Sequence, residues 1–201
     1  MIELVVATRN RHKTREIQRI LGPEFKVRDL GAHPEVSEIR ESGTSFEENA
    51  KLKALTASRQ LPALVIADDS GLEVDALGGA PGIYSTRYAG ANATDTDKIN
   101  KLLRELARVS ATEDGRRARF RCVVALARNG NLLGTFEGIV EGNIADQARG
   151  DSGFGYDPIF VPEGLKQTFG ELPAKVKNTI SHRAKAIRTL ADRLRQLEFG
   201  D

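Results

Sequence analysis

The chain has 201 residues, 40% of them hydrophobic and 29% charged. It is long enough to bury a core without disulfides or a structural zinc, and too apolar for wholesale disorder. Thirty Lys and Arg against 28 Asp and Glu leave a net charge of +2, a balance that gives no electrostatic footprint for nucleic acid. The one cysteine, Cys122, excludes an intrachain disulfide framework and any Cys-rich metal cluster. The apolar runs fall far short of the ~20 residues that span a bilayer. The opening MIELVVATRN has no basic region ahead of a long apolar stretch, so a soluble cytoplasmic protein is expected.

Strand and helix signals alternate in the first part. Residues 4–8 are β-prone, and Ile17, Ile20 and Leu21 give helical spacing over 13–21, ended by Gly22-Pro23. A second strand is expected over 25–30, followed by a polar stretch without clear period over 31–44. Ser45-Phe46-Glu47-Glu48 reads as a capping box opening a helix to about Arg59. Residues 63–67 read as a buried strand ending in Asp68-Asp69-Ser70-Gly71. This βαβαβ start predicts an α/β sheet with ligands at the strand ends.

The second half is patterned differently. Residues 78–82 are turn-rich, and Thr94 or Asp95 caps a helix running to Ala107. Strands over 119–128 and 132–141 flank Asn129-Gly130-Asn131, a hairpin signal. Another strand is expected over 158–161. Ser181 caps a last helix whose apolar face is Ile187, Leu190, Ala191, Leu194 and Leu197. With no repeat, low-complexity tract or long linker, residues 1–201 are expected to form a single domain. Its architecture is a mixed β-sheet with flanking helices, in two lobes around a cleft.

Four segments carry candidate chemistry. Thr8-Arg9-Asn10-Arg11-His12-Lys13 lies between the first strand and first helix, where N–H groups, hydroxyl, amide and ammonium can hold phosphate. The same residues also fit a capped helix with solvated basic side chains, and a Walker A loop is excluded. Asp68 and Asp69 suit a hard cation such as Mg²⁺, and a carboxylate beside it can accept a proton from water. An Asx turn is the alternative. Side chains alternate along a strand, so only one of the two need face a cleft. Glu38 and Glu41 are further oxygen donors, or solvated acids.

In Gly153-Phe154-Gly155-Tyr156-Asp157-Pro158 the glycines admit close backbone approach, Phe154 can stack on a planar base, and Asp157 can accept from a ring N–H. A tight turn with a core Phe is the alternative. Lys175, Lys177 and Ser181-His182-Arg183 are assigned to the start of the last helix. There, basic residues oppose the helix dipole unless they serve an anion or another partner. Cys122 reads as core. Together these segments describe Mg²⁺-dependent chemistry on a nucleotide.

The ordered set Ala-Thr-Arg-Asn-x-x-Lys, Ser-Phe-Glu-Glu-Asn-Ala-x-x-Lys-Ala, Ala-Asp-Asp-Ser-Gly-Leu, Gly-Gly-Ala-Pro-Gly-Ile-Tyr-Ser, Phe-Gly-Tyr-Asp-Pro-Ile-Phe and Ile-Ser-His-Arg spans residues 7–183. It closely resembles the inosine/xanthosine triphosphate pyrophosphatase family. The resemblance implies Mg²⁺-dependent hydrolysis of the non-canonical purine nucleoside triphosphates ITP, dITP and XTP to monophosphate and pyrophosphate. It also implies a homodimer with an elongated mixed-sheet α/β fold and a nucleotide cleft between two lobes, with no role for nucleic acid or membrane. By motif position, residues 8–13 cradle the triphosphate, helped by Lys53 and Lys177. Asp69 is the proton acceptor and a metal ligand, with Glu41 its companion, Asp68 nearby, and Glu38 a substitute for Glu41. Ser70 touches the substrate, Phe154, Gly155, Tyr156 and Asp157 enclose the base, and His182 and Arg183 read its 6-oxo group. Arg9 departs from the family pattern, where many relatives carry Gly; its side chain either reshapes the phosphate loop or adds a phosphate contact.

Three rival readings compete with this one. They are a pyrophosphatase for other bases, a nucleotide-binding regulator without turnover, and an RNA-binding module suggested by the basic run 116–121.

Overall fold

The computed structural model describes residues 2–37, 39–109 and 113–199. Along them run β1 (Ile2–Val6), α1 (Arg11–Leu21), β2 (Phe25–Asp29), α2 (Phe46–Ser58), β3 (Leu64–Val74) and α3 (Asp95–Arg108). Then follow β4 (Arg117–Arg128), β5 (Asn131–Ile144), β6 (Phe160–Pro162), α4 (Ala174–Ile180) and α5 (His182–Phe199). The strands form one six-stranded sheet in the order β2-β1-β3-β4-β5-β6. β1 pairs parallel with both β2 and β3, because α1 and α2 carry the chain back between strands, whereas β5 and β6 pair antiparallel. The fold is the mixed α/β sheet with flanking helices that the sequence predicts.

Two compact units share these strands. One comprises the chain to Asp69, residues 122–138 and the chain from His182; the other comprises 70–121 and 139–181. The first unit buries Leu4, Val6, Ile66, Val124 and Leu126 of the sheet against Ile17 and Leu21 of α1 and Ile187, Leu190 and Leu194 of α5. The side chain of Leu197, assigned to the same face, lies outside the described residues. In the second unit Leu102 and Leu106 of α3 join Leu72, Val74, Phe120, Phe160 and Phe169. The Phe160 ring lies 4.7 Å from Phe120 and 5.3 Å from Phe169, centroid to centroid. No helix among the described residues is long and apolar enough to cross a membrane.

Local chemistry sets the element boundaries. Asn10, extended at φ −82° and ψ 102°, caps α1, so this helix starts two residues before the apolar spacing suggested. Ser45 Oγ accepts from Glu48 N at 3.1 Å, as a capping box requires. Glu48 departs from that pattern by reaching back to Thr44 N and Oγ1 instead of Ser45 N. The hairpin turns on Asn129 and Gly130, both at positive φ (52° and 75°). Two expectations are corrected. β3 does not stop at Asp68 but runs on to Val74, because Leu72 and Val74 continue its buried apolar positions. Lys175 and Lys177 belong to a separate helix, α4, which ends where Ser181 turns extended (ψ 159°).

Candidate active site

Since β3 continues through Asp68 and Asp69, their side chains leave on opposite faces. Asp68, 3% exposed, accepts at Oδ2 from Lys13 Nζ at 3.0 Å and Arg183 Nη2 at 3.0 Å. Arg183, 2% exposed, also donates through Nη1 to Glu16 on α1. Burial pushes the Asp68 carboxyl up, but Lys13 and Arg183 outweigh it and hold the group far below the usual carboxylate range.

Asp69 points the other way, onto α2. Asn49 Nδ2 donates to its Oδ2 at 3.1 Å and Lys53 Nζ to its Oδ1 at 3.2 Å. Asn49 and Lys53 are one helical turn apart, so the start of α2 fixes both on one face. Lys53 Nζ also donates to Glu41 Oε1 at 2.8 Å and to the Asp68 carbonyl at 2.8 Å. Burial pushes the Asp69 carboxyl up, Lys53 pulls it down, and the neighbouring Glu41 pushes it up again; the balance lies above the ordinary value. Burial pulls the Lys53 ammonium down, yet Asp69, Asp68 and Glu41 outweigh it and keep it charged.

Thus two carboxylate oxygens from separate segments converge on one positive charge. That donor set fits Mg²⁺, which is typically held by one or two carboxylates and completes its shell with water and phosphate oxygens. No group of three or more His, Cys, Asp or Glu side chains able to hold a metal ion occurs among the described residues. The Asp68 carboxylate meets Lys13 and Arg183 on the opposite face of β3. Glu38 lies outside the described residues.

In the loop before α1, Thr8 Oγ1 accepts from Asn10 N at 3.1 Å, and Asn10 Oδ1 accepts from His12 N and Lys13 N at 2.9 and 3.3 Å. These three amides are satisfied by the Thr8 and Asn10 side chains. Arg11 and His12 are exposed, and the first turn contains no acid, so the positive end of the helix is reinforced. The Arg9 guanidinium donates to Leu30 O at 3.1 Å and Val36 O at 2.8 Å. Of the two alternatives for Arg9, this geometry fits the shaping of the loop.

The remaining candidates lie in the second unit, apart from His182 and Arg183. Asp157, 2% exposed, closes its own loop by accepting at Oδ2 from Phe154 N at 2.8 Å and Lys177 Nζ at 2.6 Å. Gly153 (φ +81°) is required there, because a Cβ would sit 2.1 Å from Asp157 Oδ2. Gly155 N donates to Asp95 at 2.6 Å and Tyr156 OH to Ser85 O at 3.0 Å. Phe154 is half-buried, with Lys177 Nζ 4.8 Å from its ring centroid. Ser70 is half-buried on β3, and His182 is buried at the start of α5.

In this structure Lys177 meets Asp157, and Arg183 meets both Asp68 and Glu16. Within the basic run 116–121, Arg116 meets Asp146, Arg119 meets Glu141 and Asp75, and Arg121 lies 3.6 Å from Glu73, while Arg117 is exposed.

Asn49 and Glu16 were not singled out from sequence. Asn49 had a signal, as a polar residue at an inward position of a capped helix. Glu16 had a weaker one, one turn after Lys13 beside apolar Ile17.

A mixed α/β sheet that aims two carboxylates and a lysine at one point is an arrangement able to hold a cation. The chain belongs to the Ham1 family, whose model matches residues 4–193. A dITP/XTP pyrophosphatase of Bacillus licheniformis is 47% identical over 200 residues, covering 98% of this chain and 100% of the relative. The dITP/XTP pyrophosphatase of Bacillus subtilis is 45% identical over 192 residues, covering 95% and 96%. Among solved structures, a HAM1 protein from Coxiella burnetii superposes with a TM-score of 0.87 at 42% identity, covering 98% of this chain and 100% of that one.

Proposed function

We propose that this protein is an Mg²⁺-dependent nucleoside triphosphate pyrophosphatase that hydrolyses dITP, ITP and XTP to the monophosphate and pyrophosphate. It would thereby clear deaminated purines from the cytoplasmic nucleotide pool. The observation that carries this reading is the convergence of Asp69 and Glu41 on Lys53 Nζ, in a chain that matches dITP/XTP pyrophosphatases end to end.

Asp69 and Glu41 are the residues that would hold Mg²⁺, which when bound supplies charge neutralisation on the phosphate oxygens. Asp69 orients the attacking water and takes its proton; the burial that raises its carboxyl makes it a better acceptor at neutral pH. Lys53 holds Glu41 and Asp69 together and adds positive charge beside the phosphates, and the basic start of α1 holds the outgoing pyrophosphate. Phe154 stacks on the base, held by a loop that Asp157 and Lys177 close beneath it. A donor directed at the purine 6-oxygen, for which His182 remains the candidate, would reject adenine, whose 6-amino group leaves that donor unpaired. The resemblance to homodimeric enzymes extends the proposal to a dimer.

The test is pyrophosphate release from dITP, XTP, ITP, GTP and ATP with Mg²⁺, with an EDTA control and Asp69→Asn. Metal-dependent release from the first three, reduced roughly 10²–10⁴-fold in Asp69→Asn, is the expected result. No release from any of the five overturns the reading, and equal release from ATP and GTP overturns the account of selectivity.

A further inference from the structure

We propose that Asn49 is a positioning residue that assembles the cation site by holding both of its carboxylate-bearing segments with one side-chain amide. The inference deepens the proposed function and rests on Glu41 and Asp69 being the cation ligands. Asn49 is 1% exposed. Its Oδ1 accepts from Gly43 N at 2.8 Å, two residues after Glu41, and its Nδ2 donates to Asp69 Oδ2 at 3.1 Å. The orientation of the amide is dictated by its partners: a backbone N–H can only donate and an ionised carboxylate can only accept.

Two consequences follow. Asn49 holds Oδ2 of Asp69, while Oδ1 meets Lys53 Nζ, the same ammonium that meets Glu41. Residues 41–43 have no regular secondary structure, so the Gly43 bond to Asn49 ties the backbone beside Glu41 to α2. The approach is close enough to demand glycine: a Cβ on Gly43 would lie 2.8 Å from Asn49 Oδ1 and 2.7 Å from Glu48 Cβ. Removing the amide frees Asp69 to rotate and the 41–43 segment to move. The two carboxylates then no longer present a fixed pair of oxygens, and a hard ion that demands near-ideal geometry binds less well.

The experiment uses the full-length protein without nucleotide and measures Mn²⁺ affinity by electron paramagnetic resonance, well below the melting temperature. Wild type, Asn49→Leu and Ser58→Ala are compared. Ser58 is equally buried on the same helix and accepts from Gly130 N at 3.1 Å, away from Asp69, so Ser58→Ala controls for lost stability alone. Asn49→Leu is expected to weaken Mn²⁺ binding about 10–100-fold, the range for removing a group that orients a metal ligand, while Ser58→Ala leaves it within about twofold. Should Asn49→Leu fail to fold, Mg²⁺ addition to ¹⁵N-labelled wild type gives the answer: the Asn49 side-chain amide resonances shift if the inference holds. Unchanged affinity in Asn49→Leu, or unmoved amide resonances in a protein that binds the metal, overturns it. A wild type that binds no Mn²⁺ overturns the assignment of Glu41 and Asp69 as ligands, and the inference with it.

Discussion

Replacing Arg183 with Met tests whether this arginine serves the fold or the substrate. The substitution removes the shared partner of Asp68 and Glu16, two carboxylates with side-chain exposures of 1% and 9%. Lys13 still meets Asp68, so the buried set of two acids and two bases is left with one base. Breaking a buried ion pair by deleting one partner costs about 3–5 kcal/mol. For a chain of this size each kcal/mol lowers Tm by about 2–4 °C, which gives a fall of roughly 6–20 °C.

The pH dependence has a definite sign. In the wild type, Asp68 has a depressed folded pKa, so its contribution is fully present above its ordinary value of 3.8 and is lost as pH falls below that. In Arg183→Met the Asp68 carboxyl loses one of the cations that depress it, so its folded pKa moves back towards the ordinary value. The gap between variant and wild type, read by calorimetry, is therefore full at neutral pH and narrows as pH falls below 3.8. Adding Glu16→Gln recovers part of the loss, because it removes the acid left without its arginine. A variant that melts within about 2 °C of wild type at neutral pH, but has lost discrimination between dITP and dATP, refutes this reasoning and returns Arg183 to the base.

Two further outcomes are expected. Gly138→Ala places a Cβ 2.1 Å from His182 O and 2.7 Å from Ala186 N, both backbone atoms of α5, so the helix must shift. Overpacking of this kind costs about 1–3 kcal/mol, to be read as a lower midpoint in urea; an unchanged midpoint would show that α5 does not pack there. Cys122 is fully buried, and burial pushes its thiol up to about 12, so Ellman's reagent should leave the native protein unlabelled at pH 8 and modify it fully in urea. Rapid labelling of the native protein would contradict the placement of β4.

What the sequence could reveal depended on whether a signal was local. The Ser45 and Thr94 caps, the Asn129-Gly130 turn and the alternation that separates Asp68 from Asp69 follow from a few adjacent residues, and each matches the structure. The family followed from six ordered motifs. Partner choice did not follow, because it depends on residues far apart in the chain: Arg183 meets Asp68 across 115 positions and Glu16 across 167. Basic character alone could not show that Lys177 faces Asp157 or that Arg9 reaches the carbonyls of Leu30 and Val36. The break between α4 and α5 was hidden because Ser181 works as the end of one helix and the threshold of the next.

In the proposed reaction, water activated at Asp69 attacks the α-phosphorus. Turnover of dITP in ¹⁸O-labelled water, with both products analysed by mass spectrometry, tests it most directly. One labelled oxygen is expected in the deoxyinosine monophosphate and none in the pyrophosphate. Label in the pyrophosphate, or orthophosphate as the first product, would contradict it.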